Sequence, residues 1–504
     1  MQSSTTKTKF RRAITAVLCC VMLFLGYLCF FSGRFYVSTF GRLGFDSVLY
    51  TLSAGLQGVQ SGQVTGFLLQ SLLPTVLATA LTVWLLMRQP WHRRKGKYER
   101  KTTSCKFTCW CSSLLALGLI LFAAFDVELV AYVLHQNANT GLYQAEYVDP
   151  DKTKITFPDE KRNLIYIMLE SMETSYLSKD LGGAMEENLI PELYQLAEKN
   201  LCFSNTAAKV GGFHTTKGAT WTVGSMVAQT AGIPLKTPTE DVNQYGAEGE
   251  EFLPGVTTLT NILHDAGYNQ TLMVGSDARF GGRKPYFQQH DMDKILDIYS
   301  ARADGIIPKN YFVWWGMEDL HLFRYAKQEL LELAASPKPF AFTILTVDTH
   351  HVGGYQCELC EQSKSGETYD QSISCASRQV AQFVEWIQQQ DFYENTSIII
   401  VGDHESMDNG YFERMVDDDY QRLLYNCFIN VPVTATAVTN RHFAAIDLFP
   451  TTLAAIGCTI EGDRLGLGTN LFSGKKTLAE RWGFDYFNNE MAKASTYYEE
   501  NFWN

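Results

Sequence analysis

At 504 residues the chain is longer than the roughly 100–200 residues of a single domain, so one small fold is excluded. With a net charge of −12 and 19% charged residues it offers no broad basic surface, and no nucleic-acid partner is expected. The average conceals a division: fourteen basic and two acidic residues up to Phe125 make that part +12, and the remainder carries −24.

In chain order, the first elements are three uncharged runs: Ala13 to Ser32, Gly66 to Met87 and Phe107 to Phe125. A bilayer core of ~30 Å needs about 20 apolar residues in a helix, so each run is long enough to span. Two further runs after the first, and no small-x-small cleavage site behind it, argue against a cleaved signal peptide. Basic residues before the first run (Lys7, Lys9, Arg11, Arg12) and between the second and third (RQPWHRRKGKYERKTTSCK) place those segments on the cytoplasmic side. Three spans that start inside end outside. The expected organisation is a three-helix membrane anchor over 1–125, a polar connector over 126–161 and a large domain over 162–504 outside the cytoplasmic membrane. The stretch SVLYTLSAGLQGV, between the first two spans, either lies along the membrane surface or packs on the spans.

Beyond the connector the pattern alternates. NLIYIMLE (163–170) reads as a strand ending in an acid, FLPGVTTLTNILHDAGY as a helix stopped by Gly267, and QTLMVGS as a strand. PFAFTILTVDTHH is a buried strand running into polar residues, ISCASRQVAQFVEWIQQQ a helix, and TSIIIVGDHE another buried strand. LLYNCFINVPV is a further strand and AAIDLFPTTLAAIG a helix ended by Gly457. Such alternation predicts an α/β domain with a mainly parallel central sheet flanked by helices. Several strands end in reactive types, Glu170, His350, Asp403 and His404, and ligands of open α/β sheets gather at the carboxyl ends of strands.

Each of these residues has a plain structural reading as a cap or a loop residue. Together they fit a site. Asp403 and His404 offer an oxygen and a nitrogen ligand side by side, and a carboxylate as third ligand, Glu170, completes a set suited to Zn²⁺ or Mn²⁺. His350 can give a phosphate a hydrogen bond. The segment KGATWTVGSMVAQTAGIPL holds hydroxyls where a helix of small residues begins; a threonine there is activated by a metal or base and favoured by the helix start. On chemistry alone Thr220, Thr222 and Ser225 are all candidates. Of the cysteines beyond the apolar runs, Cys357, Cys360 and Cys375 bracket one polar loop, and a bridge from Cys375 to Cys357 or Cys360 is expected.

In their order and spacing NLIYIMLES, TVGSMVAQTAGIPL, TILTVDTHH, VGDHESMDN and LGLGTNLFSG resemble the membrane-anchored phosphoglycerol transferases of the alkaline phosphatase/sulfatase-like superfamily. Lipoteichoic acid synthases and lipid A phosphoethanolamine transferases are similar but more distant. The resemblance spans almost the whole chain and implies one divalent ion held by Glu170, Thr222, Asp403 and His404, with Thr222 as nucleophile. It also implies His350 against the transferred group, and SDARFGGRKPYF supplies Arg279 and Arg283 as phosphate-group candidates. The activity implied is transfer of a phosphoglycerol headgroup from phosphatidylglycerol to a hydroxyl of an envelope glycan or glycolipid, through a covalent threonine intermediate. Phosphoethanolamine transfer is the alternative within the same chemistry, and an inactive envelope-binding or scaffold protein the alternative outside it. Two departures matter. The nucleophile motif reads T-V-G-S-M where lipoteichoic acid synthases have T-S-D-S-E, and Phe280-Gly281-Gly282 stands where those synthases have a Trp-x-Arg pattern. The sulfatase signature, Cys or Ser followed by x-Pro-x-Arg, is absent, which points away from sulfate-ester hydrolysis.

Overall fold

The structure, a computed structural model, describes residues 2–41, 44–53, 61–87, 91–94, 97–100, 105–236, 251–417 and 419–503. It divides into two compact units: one built on the apolar helices up to residue 133, the other taking residues 46–53 and everything from Leu134 onward.

In the first unit α1 covers Gln2–Phe40. Residues Ala13–Phe40, Val64–Leu86 and Phe107–Asp126 form three helices long and apolar enough to cross a membrane. The first runs past Ser32, where the sequence reading stopped at the approach of a charge. The structure shows why it continues: Arg34 is paired with the buried Asp126 at 3.1 Å. Helix α2, Phe45–Ser53, belongs by its contacts to the second unit, with Ser47 Oγ 3.2 Å from Thr220 Oγ1. The remainder of that apolar stretch, 54–59, lies outside the described residues. Helices α3 (Leu73–Met87) and α4 (Cys105–Asp126) complete the first unit's apolar set.

The second unit is organised by a seven-stranded sheet. In chain order its strands are β1 (Asn163–Leu169), β2 (Gly212–Phe213), β3 (Asn269–Val274), β4 (Lys294–Leu296), β5 (Phe340–Leu345), β6 (Thr396–Gly402) and β7 (Leu424–Ile429). Their spatial order is β2–β7–β6–β1–β5–β3–β4. The run from β6 to β4 is parallel, and β7 is antiparallel to both β6 and β2. The sheet is therefore mixed at one edge. Its strands read as continuous apolar runs because both faces are covered. Along β1, Leu164, Tyr166 and Met168 enter one core and Ile165, Ile167 and Leu169 the other. The first core takes α5 (Thr222–Ala231), α6 (Leu259–Asp265) and α9 (Leu448–Ala455). The second takes α7 (Asp319–Ala334) and α8 (Thr368–Gln388).

One local reading changes. The helix read over FLPGVTTLTNILHDAGY is confined to α6. It starts late because Thr258 forms a capping box with Asn261, after a left-handed Leu253 that precedes Pro254. Part of the expected polar connector packs into this unit. Leu142 and Tyr143 are buried in the first core, and Ile155–Thr156 pairs antiparallel with Thr459–Ile460. Of the expected bridges, Cys360–Cys375 is the one formed, tying the loop after His350 to α8.

Candidate active site

Sheet register builds the centre of the site. β1 and β6 are parallel neighbours with Leu169 opposite Gly402, so Glu170 and Asp403 leave the sheet side by side at its carboxyl edge. The backbones stay close: Asp403 N–H donates to the Leu169 carbonyl at 3.0 Å. Glycine is needed at 402, where a Cβ would lie 2.1 Å from the Met172 carbonyl oxygen. The chain turns back through Ser171, held at φ +51°. Its amide donates to Asp403 Oδ1 at 2.8 Å and its hydroxyl to Glu170 Oε1 at 2.7 Å. The His404 amide adds a second bond to Asp403 Oδ1 at 2.7 Å. Asp403 Oδ2, in contrast, is buried with no hydrogen-bond partner among the described residues.

His404 closes the cluster. Its Nδ1 donates to the Glu405 carbonyl at 2.8 Å, which leaves the Nε2 lone pair facing inward. Nε2 is 3.5 Å from Glu170 Oε1, 3.5 Å from Asp403 Oδ2 and 3.3 Å from Thr222 Oγ1. Glu170, Asp403 and His404 each offer a ligand atom within 4.8 Å of the others. Burial, then the Glu170 charge, pushes the Asp403 carboxyl up to about 7. Burial disfavours charge on His404, but the Asp403 and Glu170 carboxylates together leave its pKa above the ordinary imidazole value. Two carboxylates, an imidazole nitrogen and a hydroxyl suit Zn²⁺ or Mn²⁺. A buried carboxylate oxygen without a hydrogen-bond partner, as at Asp403 Oδ2, is costly unless a cation takes it up. The residues present fit a divalent ion.

Thr222 opens α5, with Trp221 extended before it and giving no side-chain cap. The first amide of this turn to find a backbone acceptor is Ser225, on the Trp221 carbonyl at 2.9 Å. The preceding N–H groups leave an open helix start, which favours anionic oxygen. The three hydroxyls that chemistry alone left open are now told apart. Ser225 Oγ bonds the Asp403 carbonyl and accepts from Gln229 Nε2 at 2.9 Å, and Gln229 in turn accepts from Tyr166 at 2.7 Å. Thr220 contacts Ser47. Only Thr222, of the three, faces the cluster. Gly224 lets the turn seat, since a Cβ there would stand 2.5 Å from the Gly218 carbonyl oxygen.

His350 follows β5. Its Nδ1 donates to the His351 carbonyl at 2.8 Å and its ring lies 4.4 Å from that of Trp315. Burial is the main reason its pKa falls to about 4, and His404 and Arg283 add to the effect, so it is neutral at physiological pH. Arg283 is buried and donates to Ser276 Oγ at 2.9 Å, the Asp277 carbonyl at 2.7 Å and the Phe280 carbonyl at 3.0 Å. Arg279 is placed differently. Its guanidinium is exposed and engaged with Asp277 at 2.7 Å, with Tyr299 beside it, rather than with the cluster.

Sequence reasoning missed the clamp behind the site. Glu173, fully buried, accepts from Arg422 Nε at 2.8 Å, Ser175 Oγ at 2.8 Å and the Ser406 amide at 2.7 Å. Arg422 donates back to the Ser406 carbonyl at 2.7 Å and lies 3.5 Å from the Phe412 ring centroid. This pair fixes the loop that follows His404. The only sequence signal was a second acid three residues after Glu170.

Residues 162–458 match the sulfatase family, over half of the chain and including every element of the cluster. The chain belongs to the sulfatase family. Among curated relatives, phosphoglycerol transferase I of Xanthomonas campestris pv. campestris is 29% identical over 371 residues, 71% of this chain and 50% of the relative. The Escherichia coli phosphoglycerol transferase I is 28% identical over 444 residues, 85% of this chain and 53% of the relative. The chain thus spans about half the length of the curated relatives it matches. Among solved structures, the integral membrane lipooligosaccharide phosphoethanolamine transferase A of Neisseria meningitidis aligns at TM-score 0.48 and 14% identity, covering 88% of this chain and 84% of that one. The chain lacks the Cys/Ser-x-Pro-x-Arg pattern, and Thr222 opens α5.

Proposed function

We propose that the protein transfers a phosphoglycerol headgroup from phosphatidylglycerol to a hydroxyl of an envelope glycan or glycolipid. The observation that carries this reading is Thr222 Oγ1, at an open helix start, 3.3 Å from His404 Nε2 within the Glu170–Asp403–His404 cluster. The names of the curated relatives support the headgroup. Three helices able to span a membrane support a lipid donor, and the basic flanks of those helices support a catalytic unit on the extracytoplasmic side.

Glu170, Asp403, His404 and Thr222 would hold one divalent ion, Mn²⁺ or Zn²⁺. When bound it lowers the hydroxyl pKa and offsets charge on phosphoryl oxygens. In the first step Thr222 Oγ bonds to phosphorus, the phosphorus–oxygen bond to diacylglycerol breaks, and the diacylglycerol oxygen leaves with a proton. In the second, an acceptor hydroxyl oxygen takes the phosphorus, and Thr222 is released as its hydroxyl. The amides at the start of α5 favour the phosphoryl oxygens in both steps. Neutral His350, with its proton on Nδ1, offers Nε2 as an acceptor for a substrate hydroxyl, and Arg283 supplies positive charge beside it; Arg279 would have to exchange Asp277 for a phosphate to take part. An inactive scaffold gains nothing from an orphaned buried carboxylate oxygen.

The test is the mass of the peptide containing Thr222 after the purified chain meets vesicles of phosphatidylglycerol or phosphatidylethanolamine without acceptor. A glycerophosphoryl adduct on Thr222, from the first lipid alone, is expected. A phosphoethanolamine adduct would replace the headgroup, and no adduct with either lipid under quench would remove the covalent mechanism.

A further inference from the structure

Three cysteines of the second unit meet beside the loop that follows His350. Cys360 and Cys375 are bonded. The third, Cys357, keeps a free thiol whose sulfur is 3.8 Å from Cys360 Sγ and 3.9 Å from Cys375 Sγ. The Gln379 side-chain amide reaches both the Cys357 and the Cys375 sulfurs, at 3.8 and 3.6 Å. Cys357 and Cys375 are buried, while Cys360 is half-buried on the polar loop. A thiol in van der Waals contact with both sulfurs of a bridge is the arrangement from which thiol–disulfide exchange begins.

We propose that Cys357 is an exchange thiol, so that the bridge to α8 is shared between Cys360 and Cys357 and Cys360 is a latent, solvent-facing thiol. The step is self-contained. Cys357 gives up its proton, its sulfur bonds to Cys375 Sγ, the Cys360–Cys375 bond breaks, and Cys360 leaves as a thiolate that takes a proton from solvent. One disulfide and one thiol stand on each side, so no outside oxidant or reductant is needed. Attack on Cys360 Sγ instead would give a Cys357–Cys360 bridge and free Cys375.

Two facts bear on how readily it runs. The present bridge joins residues 15 apart and the exchanged one residues 18 apart. Closing the longer loop changes the closure entropy by only about a quarter of RT, so chain entropy does not choose between them. The sulfur of Cys357 is almost equidistant from the two bonded sulfurs and so flanks their bond. In-line attack therefore needs a side-chain rotation first. Burial, then the carboxylates of Asp348, Asp319 and Glu318, hold the Cys357 thiol above its ordinary pKa, against a bond from the Leu359 backbone. Both features make exchange slow and the thiol inert to outside reagents until it occurs. Exchange moves the covalent anchor of this loop three positions closer to His350.

The full-length chain, purified without reductant, is quenched in acid, alkylated with N-ethylmaleimide while unfolded, and peptide-mapped without reduction. Wild type should carry one label at the cluster, divided between Cys357 and Cys360, with both bridges to Cys375 recovered. Cys360→Ser should carry none there, its bridge having formed as Cys357–Cys375. In Cys357→Ser the bridge should be Cys360–Cys375 alone. Label confined to Cys357 in wild type, even after long incubation before quenching, would overturn the proposal. So would two free thiols in Cys360→Ser, or zinc released in proportion to three unbridged thiols. The wild-type map decides even if a variant misfolds.

Discussion

The Thr222 hydroxyl stands 3.3 Å from His404 Nε2, on the side of the imidazole left open once its Nδ1 is bonded to the Glu405 carbonyl. Thr222→Ala should therefore remove the nucleophile while leaving α5 in place. Transfer from phosphatidylglycerol is expected to fall by at least about a thousandfold, as for other covalent nucleophiles. The melting temperature should change little, since Thr222 is only half-buried. Activity retained in Thr222→Ala would displace it from the mechanism.

Ser225→Ala should do the opposite. The hydroxyl supports the Asp403 carbonyl and Gln229, and both are buried. Losing it leaves polar groups unsatisfied at about 1–3 kcal/mol. Urea denaturation should show that cost, and the variant should still form the Thr222 adduct.

Metal affinity should rise with pH. The Asp403 carboxyl is pushed up to about 7 by burial and Glu170, so below that pH a proton occupies the site and must be displaced. For the metal-free protein the same shift has a stability sign. A carboxyl raised above its unfolded value of about 3.9 favours the fold at low pH, and that contribution is lost as pH rises from about 4 to about 7. Titration of the chelated protein with Mn²⁺ or Zn²⁺ between pH 5.5 and 8 should show tighter binding at each higher pH. A flat profile would contradict the assignment of Asp403 as a ligand.

Arg422→Met should destabilise strongly. It leaves the Glu173 carboxylate buried without its cation, and breaking a buried pair from one side costs about 3–5 kcal/mol. The double variant Glu173→Gln, Arg422→Met should recover part of that loss in a denaturant series.

Gly224→Ala adds a methyl where a carbonyl oxygen stands 2.5 Å away. The ordinary helix gain of about 1 kcal/mol over glycine should be reversed. The first turn of α5 should shift, and the rate constant for transfer should fall more than the apparent affinity for vesicles.

Much of this site was legible in the sequence because the ligand types lie at strand ends, and strand ends are marked by apolar runs such as NLIYIML and TSIIIVG. Physics alone could not choose among Thr220, Thr222 and Ser225. Which hydroxyl faces the cluster is a tertiary fact, and it favours Thr222. The antiparallel β7 was invisible for a similar reason: LLYNCFI is apolar whichever way it runs. Arg422 gave no signal, because a surface-type residue in a polar stretch becomes the partner of Glu173 only after the sheet has formed. The early start expected for α6 failed on capping chemistry, with Thr258 and Asn261 outranking hydrophobic spacing.

The pairing of Leu169 with Gly402 joins two strands whose ends are far apart along the chain; Ser171 and Asp403, hydrogen-bonded there, are 232 positions apart. No fragment of the polypeptide holds the site by itself. It comes into being only once this long-range strand pairing forms, and the entropy of closing so large a loop opposes that step. A cation bound at this seam would act as a sentinel of the native topology, retained while the sheet is whole and released once β1 and β6 part.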